Sequence, residues 1–307
     1  MPSHWPALPY DAWTPTRDTL HAHTQVLGKL AAILAPPEPQ LQHAALRLTA
    51  RGYETLPLPA PDGSGALVVA LDLHAHEALV EHSDGRAQPT PLTPNRSVGA
   101  VTRDVLEAAR SLGGGPIEFD PTPQEVSWTV PLDEDEEHAI YESDRVAEYF
   151  AAATQAALVL ADFRAPYRGR STPVNAWWGS FDLAVNLFSG RPADPPSDDF
   201  IMRNSMDAQD VAVGWWPGYD RYEKAAFYAY AHPAPDGFAD ATLASPDARW
   251  AADLGLYLLD WDDVIASEEP RATALEFARS AFQHACRVCE WDPDLAASAE
   301  GHPPPVR

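Results

Sequence analysis

Apolar side chains recur at helical spacing in four segments of the chain. The first segment ends before Pro36 and Pro37, because proline stops a helix. The second begins after Ser97, a residue type that caps helix N-termini, and closes at a run of three glycines. The pattern therefore predicts four helices, over residues 16–34, 98–112, 143–163 and 270–287.

Shorter runs rich in β-branched and aromatic residues lie between these helices and predict β-strands. Turn residues such as the pair Asp84-Gly85 separate the runs of the first group. That group covers residues 46–53, 66–73 and 78–81, with a fourth strand after Gly85. The second group covers residues 174–181, 183–188, 211–215, 226–232 and 254–259.

The order of elements is helix, β-region, helix in both parts of the chain, which predicts an α+β fold with antiparallel sheets. We expect two similar halves, residues 1–115 and 143–307, joined by a proline-rich and acidic connector at 116–142. Its acidic run, 133–137, is typical of solvated surface. The repeated order raises the hypothesis of an internal duplication, and the alternative is a coincidence within one α+β protein.

Charge narrows the classes of partner. The chain has 45 acidic and 21 basic side chains and a formal net charge of −24. Such a molecule repels phosphate backbones and anionic lipid surfaces, so we expect neither nucleic acid nor a membrane as partner.

The sequence does not indicate an oligomeric state. The first residues carry no targeting pattern, which predicts a cytoplasmic protein whose Cys286 and Cys289 stay reduced.

The spacing of histidines and glycines argues against a metal or a cofactor. His21 and His23 are about 200° apart on a helix, so they do not chelate one ion together. The chain has no His-Glu-x-x-His motif, and the glycines at 113–115 follow a helix instead of opening one. We therefore expect no bound metal and no cofactor.

Several motifs together resemble the domain-of-unknown-function family 5996. They include the opening Trp5-Pro-Ala-Leu-Pro, the helix motif Thr24-Gln-x-x-Gly-Lys29 and the block Trp178-Gly-Ser-Phe-Asp-Leu-Ala-Val185. Further matches are Leu48-Thr-Ala-Arg-Gly52, Phe188-Ser-Gly-Arg191, Trp216-Pro-Gly218 and Phe227-Tyr-Ala-Tyr230. His23 departs from the family pattern, which has an aromatic residue there. The resemblance covers nearly the whole chain and implies no activity, cofactor or catalytic residue.

The candidate catalytic residues lie on predicted strands of the second half. In 226–232, strand alternation places Tyr228, Tyr230 and His232 on one face and Phe227 on the other. In the preceding strands, alternation would place Ser180 and Asp182 on one side, which suits a pairing with His232. We therefore predict Asp182, Tyr230 and His232 as the catalytic groups.

Ligand-binding residues are predicted from rings with polar tips and from the rare cations. They are Trp178, Ser180 and Tyr228, with Arg51 or His21 contributed by the first half. This set predicts a small-molecule-binding protein with metal-free acid/base chemistry. The alternative is a non-enzymatic interaction or scaffold protein, whose aromatic side chains form core and whose arginines pair with acids.

Overall fold

The computed structural model describes residues 5–198 and 200–299. In chain order its longer elements are α1 (Thr14–Leu34), β1 (Arg47–Leu48), β2 (Gly52–Glu54), β3 (Leu58–Pro59), β4 (Ala66–Asp72), β5 (Glu77–His82), β6 (Ala87–Pro91), α2 (Val98–Gly113), α3 (Ser143–Arg164), β7 (Asn175–Trp177), β8 (Asp182–Pro192), α4 (Phe200–Ser205), β9 (Ala208–Trp216), β10 (Ala226–His232), β11 (Arg249–Ala251), β12 (Leu256–Asp260), α5 (Trp261–Ala266), α6 (Pro270–Val288) and α7 (Pro293–Ser298). Helices and antiparallel sheets together make the fold α+β, as predicted.

The four predicted helices are confirmed as α1, α2, α3 and α6, with ends within two residues of the prediction. The cap of α2 shows why the prediction works. The Ser97 hydroxyl accepts a hydrogen bond from the amide of Ala100 at 3.2 Å. At the other end, Gly114 adopts the left-handed conformation with φ of 68°.

The chain divides into two compact units, each built from separate stretches of sequence. The meander unit consists of Asp11–Phe150 and Asn175–Asp182. The C-terminal unit consists of Met1–Tyr10, Ala151–Val174 and Leu183–Arg307. The predicted domain boundaries stay a prediction.

The sheet of the meander unit has the strand order β1-β2-β4-β5-β6, with β3 also paired to β4. The predicted strand over residues 46–53 is wrong in one respect: it is two short strands, β1 and β2. They pair antiparallel, with Leu48 opposite Tyr53. The polar residues Thr49 and Arg51 lie in the tight turn that joins them, where Thr49 and Gly52 exchange backbone hydrogen bonds.

In the C-terminal unit the strands are antiparallel in the order β11-β12-β10-β9-β8. One face of this sheet is core. Trp261 of α5 packs against Trp215 and Phe227 at centroid distances of 5.6 and 6.1 Å. Helix α6 contacts β9, β10 and β12 of the same sheet.

The internal duplication is not confirmed. The meander unit follows the order of the sequence across its sheet, whereas in the C-terminal unit β12 lies between β10 and β11.

The predicted connector contains no helix or strand from residue 116 to 142. Its acidic run is not uniformly solvated, because Asp135 is fully buried. The Asp135 carboxylate accepts hydrogen bonds from the amides of Glu137 and His138 and lies 2.7 Å from Nδ1 of His138. These hydrogen bonds satisfy a carboxylate that the sequence pattern places in water.

Helix α3 is the one described helix that is long and apolar enough to cross a membrane by length and composition alone. Half of its most apolar stretch is buried inside the structure, and core helices pass the same test. This is weak evidence for a membrane span.

Candidate functional site

The predicted site residues fall into both units. His21, Arg51, Trp178, Ser180 and Asp182 belong to the meander unit. Tyr228, Tyr230 and His232 belong to the C-terminal unit. Each group therefore has its own surroundings.

In the meander unit, residues 178–181 form a turn, which corrects the predicted strand over 174–181. The turn is fastened to α1. Nε2 of His21 lies 2.9 Å from the carbonyl oxygen of Trp178 and 3.0 Å from that of Gly179, so this nitrogen carries the donated proton. The indole N–H of Trp178 donates to the carbonyl of Ala44 at 3.0 Å. His21 and Trp178, predicted as ligand-binding residues, thus hold the turn in place.

Glycine at position 28 allows Trp178 to lie directly against α1. A Cβ on Gly28 would come within 1.9 Å of Cδ1 of the indole. No other residue type permits this approach, because a carbon atom that close overlaps the ring.

A continuous stack of rings runs from α1 through the turn. Trp13 stacks on Tyr149 at 4.9 Å, Tyr149 on Phe181 at 5.2 Å, and Phe181 on His21 at 4.8 Å. The hydroxyl groups of Tyr149 and Tyr53 are hydrogen-bonded to each other. Phe181 adopts a positive φ of 55°, so the stack holds the turn in a conformation rare for a bulky residue.

Ser180 and Asp182 come together, although not by strand alternation. The Ser180 hydroxyl is exposed and donates to Oδ1 of the buried Asp182. The imidazole that contacts the turn, that of His21, donates its Nε2 proton to two backbone carbonyls.

Arg51, one of the few cations predicted to bind a ligand, forms ion pairs within the protein instead. Its guanidinium pairs with Glu54 at 3.1 Å and with Glu81 at 2.8 Å. The hydrogen bond to Glu81, assisted by Glu54, raises the pKa of Arg51. The ion pair that the sequence leaves open as an alternative to ligand binding is therefore present.

A buried lysine lies next to this turn. Lys29 is 4 % exposed, and its ammonium nitrogen is 5.7 Å from the centroid of the Trp178 ring. The carboxylate of Asp120 is 4.0 Å away. Burial lowers the pKa of Lys29, and Asp120 opposes this effect in part. Lys29 belongs to the helix motif Thr24-Gln-x-x-Gly-Lys29, but its burial could not be inferred from the pattern.

In the C-terminal unit, the predicted alternation of β10 is confirmed by its pairing with β9. Tyr228 lies opposite Gly214, Tyr230 opposite Ala212, and His232 opposite Asp210. We call this surface of the sheet the tyrosine face. The ring of Tyr228 lies over Gly214 and stacks on Trp216 at 4.8 Å.

Asp210 is a buried carboxyl group on the tyrosine face that sequence reasoning missed. It is 5 % exposed, and the side-chain amide of Asn186 donates a hydrogen bond to its Oδ2. Burial raises its pKa to about 7, and the Asn186 hydrogen bond opposes this only in part. A sequence signal existed, since Asp210 directly precedes the predicted strand over 211–215 and alternates with Ala212 and Gly214.

The neighbours of Asp210 are polar and differ in exposure. His232 is buried, and its Nε2 lies 3.0 Å from the carbonyl oxygen of Met206. Asn186 and Tyr230 are half-buried, and Tyr230 stacks in parallel with Tyr228 at 6.2 Å. Two predicted residues, Tyr230 and His232, thus share one sheet face with a third titratable group.

Metal ligation finds no support in the described residues, where no group of three or more His, Cys, Asp or Glu could hold an ion. Cys286 and Cys289 are buried free thiols at the end of α6.

Comparison with known proteins gives one match. The model of a protein family described as a family of unknown function (DUF5996) covers residues 5–298. No curated protein and no solved structure matches the chain. The resemblance seen in the sequence motifs is therefore confirmed.

Proposed function

Because the chain belongs to the family of unknown function DUF5996, whose description assigns no chemistry, we propose from geometry that it binds a small polar molecule on the tyrosine face and moves a proton with Asp210. Tyr230 and His232 keep the roles predicted for them. Asp210 takes the place of Asp182, which lies in the meander unit.

One observation carries the proposal: Asp210 is a buried carboxyl group with no cation contributing to its pKa. Only burial and the Asn186 hydrogen bond set that pKa, at about 7. A group with such a pKa is present in both protonation states at neutral pH, so it both donates and accepts protons readily. Buried carboxyls tuned in this way occur preferentially at functional sites.

The neighbours of Asp210 suit distinct roles. Asn186 fixes one carboxyl oxygen, which leaves the other for a bound molecule. His232 is held in orientation by the Met206 carbonyl and supplies a second titratable group across the strand pair. Tyr230 is half-buried and adds a phenolic side chain to the same face of the sheet. These are the parts of an acid/base site that needs no metal.

Charge indicates the ligand class. The net charge of −24 and the carboxyl of Asp210 both disfavour an anion. The tyrosine rings offer flat apolar surface with polar tips, which suits an uncharged molecule bearing hydroxyl or carbonyl groups.

The non-enzymatic alternative is supported by the packing of the rings. Tyr228 is 6 % exposed and stacked on Trp216, as a core residue would be. In that case the protein is an interaction or scaffold protein and no small molecule is bound. The absence of nucleic-acid and membrane partners stays a prediction from the charge, and a cytoplasmic location stays a prediction from the first residues of the sequence.

A thermal-shift screen with uncharged metabolites tests the proposal. We expect some compounds to raise the melting temperature of the wild type and to lose this effect in Asp210→Asn, which keeps the shape and the hydrogen bond to Asn186. Asp236→Asn, an exposed position of the same unit, is the matched control and should respond as the wild type does. If no compound stabilises the protein, or if Asp210→Asn responds equally, the proposal is wrong.

A further inference from the structure

We propose that Lys29 is a reactive amine that condenses with the carbonyl group of a small aldehyde or ketone held against Trp178. The site lies in the meander unit and does not depend on the tyrosine face or on its proposed function.

The amine of Lys29 is buried with few polar partners. Lys29 is more than nine-tenths buried, and within the described part of the chain its nitrogen makes no hydrogen bond. Its one ion pair there, with Asp120, is at 4.0 Å, the long limit for such a contact. Asp120 is itself 65 % exposed, so the pair lies where the buried lysine stem reaches solvent. A structural lysine would be held by closer partners.

A rigid aromatic ring lies beside the amine. The centroid of the Trp178 indole lies 5.7 Å from Nζ of Lys29. The indole is fixed by its hydrogen bond to the carbonyl of Ala44 and by its contact with Gly28. Trp178 is half-buried, so the residue is in part accessible to solvent. A planar carbonyl compound can lie on that ring with its carbon towards the amine.

The surroundings of Lys29 favour its neutral amine. Burial lowers the pKa of Lys29, which increases the fraction of neutral, nucleophilic amine at physiological pH. Asp120 stays ionised, because hydrogen bonds from the amide and hydroxyl of Thr122 lower its pKa. Its negative charge therefore continues to oppose the effect of burial on the pKa of Lys29.

The reaction balances without a further reagent. The lone pair of the Lys29 nitrogen attacks the carbonyl carbon, a C–N bond forms as the C=O π bond breaks, and the oxygen takes up a proton from solvent water. The resulting carbinolamine loses water, and a protonated imine remains. Added cyanoborohydride delivers hydride to the imine carbon and converts the imine to a stable secondary amine, which marks the lysine permanently.

The chain provides its own reference, since Lys29 and Lys224 are the two lysines of the sequence. Lys224 is 60 % exposed and donates to Asp260 at 3.1 Å. The full-length protein is treated with propionaldehyde and cyanoborohydride near neutral pH, and peptide mass spectrometry then follows both lysines over time. We expect Lys29 to be labelled several-fold faster than Lys224 in the folded protein and at the same rate in denaturant.

Two variants test the assignment of Lys29 further. Asp120→Asn removes the carboxylate that opposes the low pKa, so it should speed the labelling of Lys29 and leave Lys224 unchanged. Asp210→Asn should leave both rates unchanged, which separates this inference from the proposed function. Equal rates in the folded protein, or faster labelling of Lys224, would overturn the assignment.

Discussion

Asp210→Asn tests whether the buried carboxyl of the tyrosine face is tuned as its surroundings imply. The pKa of Asp210 rises from 3.8 to about 7 on folding. Between these values the folded protein binds more protons than the unfolded chain, so its stability falls as pH rises through this window. Three pKa units at ~1.4 kcal/mol each give about 4 kcal/mol. The free energy of unfolding is lower by this amount at pH 8, and the loss disappears below pH 4.

The substitution removes the titration and keeps an oxygen that accepts from Asn186. We expect the variant to gain about 4 kcal/mol of unfolding free energy over the wild type between pH 4 and pH 8. Urea unfolding followed by tryptophan fluorescence measures this difference at each pH. A difference that stays constant with pH would refute the reasoning.

Asp260→Asn is the control of opposite sign in the same unit. Burial acts against ionisation of Asp260, but hydrogen bonds from Tyr222, Arg249 and Lys224 together lower its pKa. The stability it contributes is present at neutral pH and is lost as pH falls through the lowered pKa. The difference between this variant and the wild type should therefore slope the other way.

Three further predictions concern the meander unit and the end of α6. Gly28→Ala should lower the unfolding free energy by about 1–3 kcal/mol through overpacking against Trp178; a Trp178→Ala background should abolish this loss, and a persisting loss would show another cause. Burial lowers the pKa of His23 to about 4, so acidification from pH 7 to pH 4 should cost the wild type about 3 kcal/mol more than His23→Leu in urea unfolding. Burial also raises the pKa of the thiols of Cys286 and Cys289, so a thiol reagent should modify them slowly until denaturant is added; fast reaction of the folded protein would contradict their burial.

Local patterns predicted the elements of the fold well, because capping and periodicity act over a few residues. Ser97 and the glycines after α2 illustrate this, since both their roles are set by adjacent backbone. The alternation in β10 likewise placed Tyr228 and His232 on one face.

Prediction was weaker where the outcome depends on contacts between distant residues. The turn at 178–181 is stabilised by His21, more than 150 positions away, and a strand pattern cannot reveal that. Asp210 was missed because its burial depends on the sheet around it. The burial of Asp135 was missed for the same reason, because its acidic neighbours in the sequence predicted a carboxylate exposed to solvent.

The meander unit is built from two distant stretches of the chain, and this affects how it folds during synthesis. Residues 11–150 leave the ribosome before residues 175–182 have been made, and protein domains fold as units when they emerge. Until then Gly28 lacks the indole that covers it, and Leu46 lacks the backbone partners that Ala176 provides. Vectorial synthesis therefore leaves an incomplete intermediate with an open edge, and this unit reaches its final form only after residue 182 emerges.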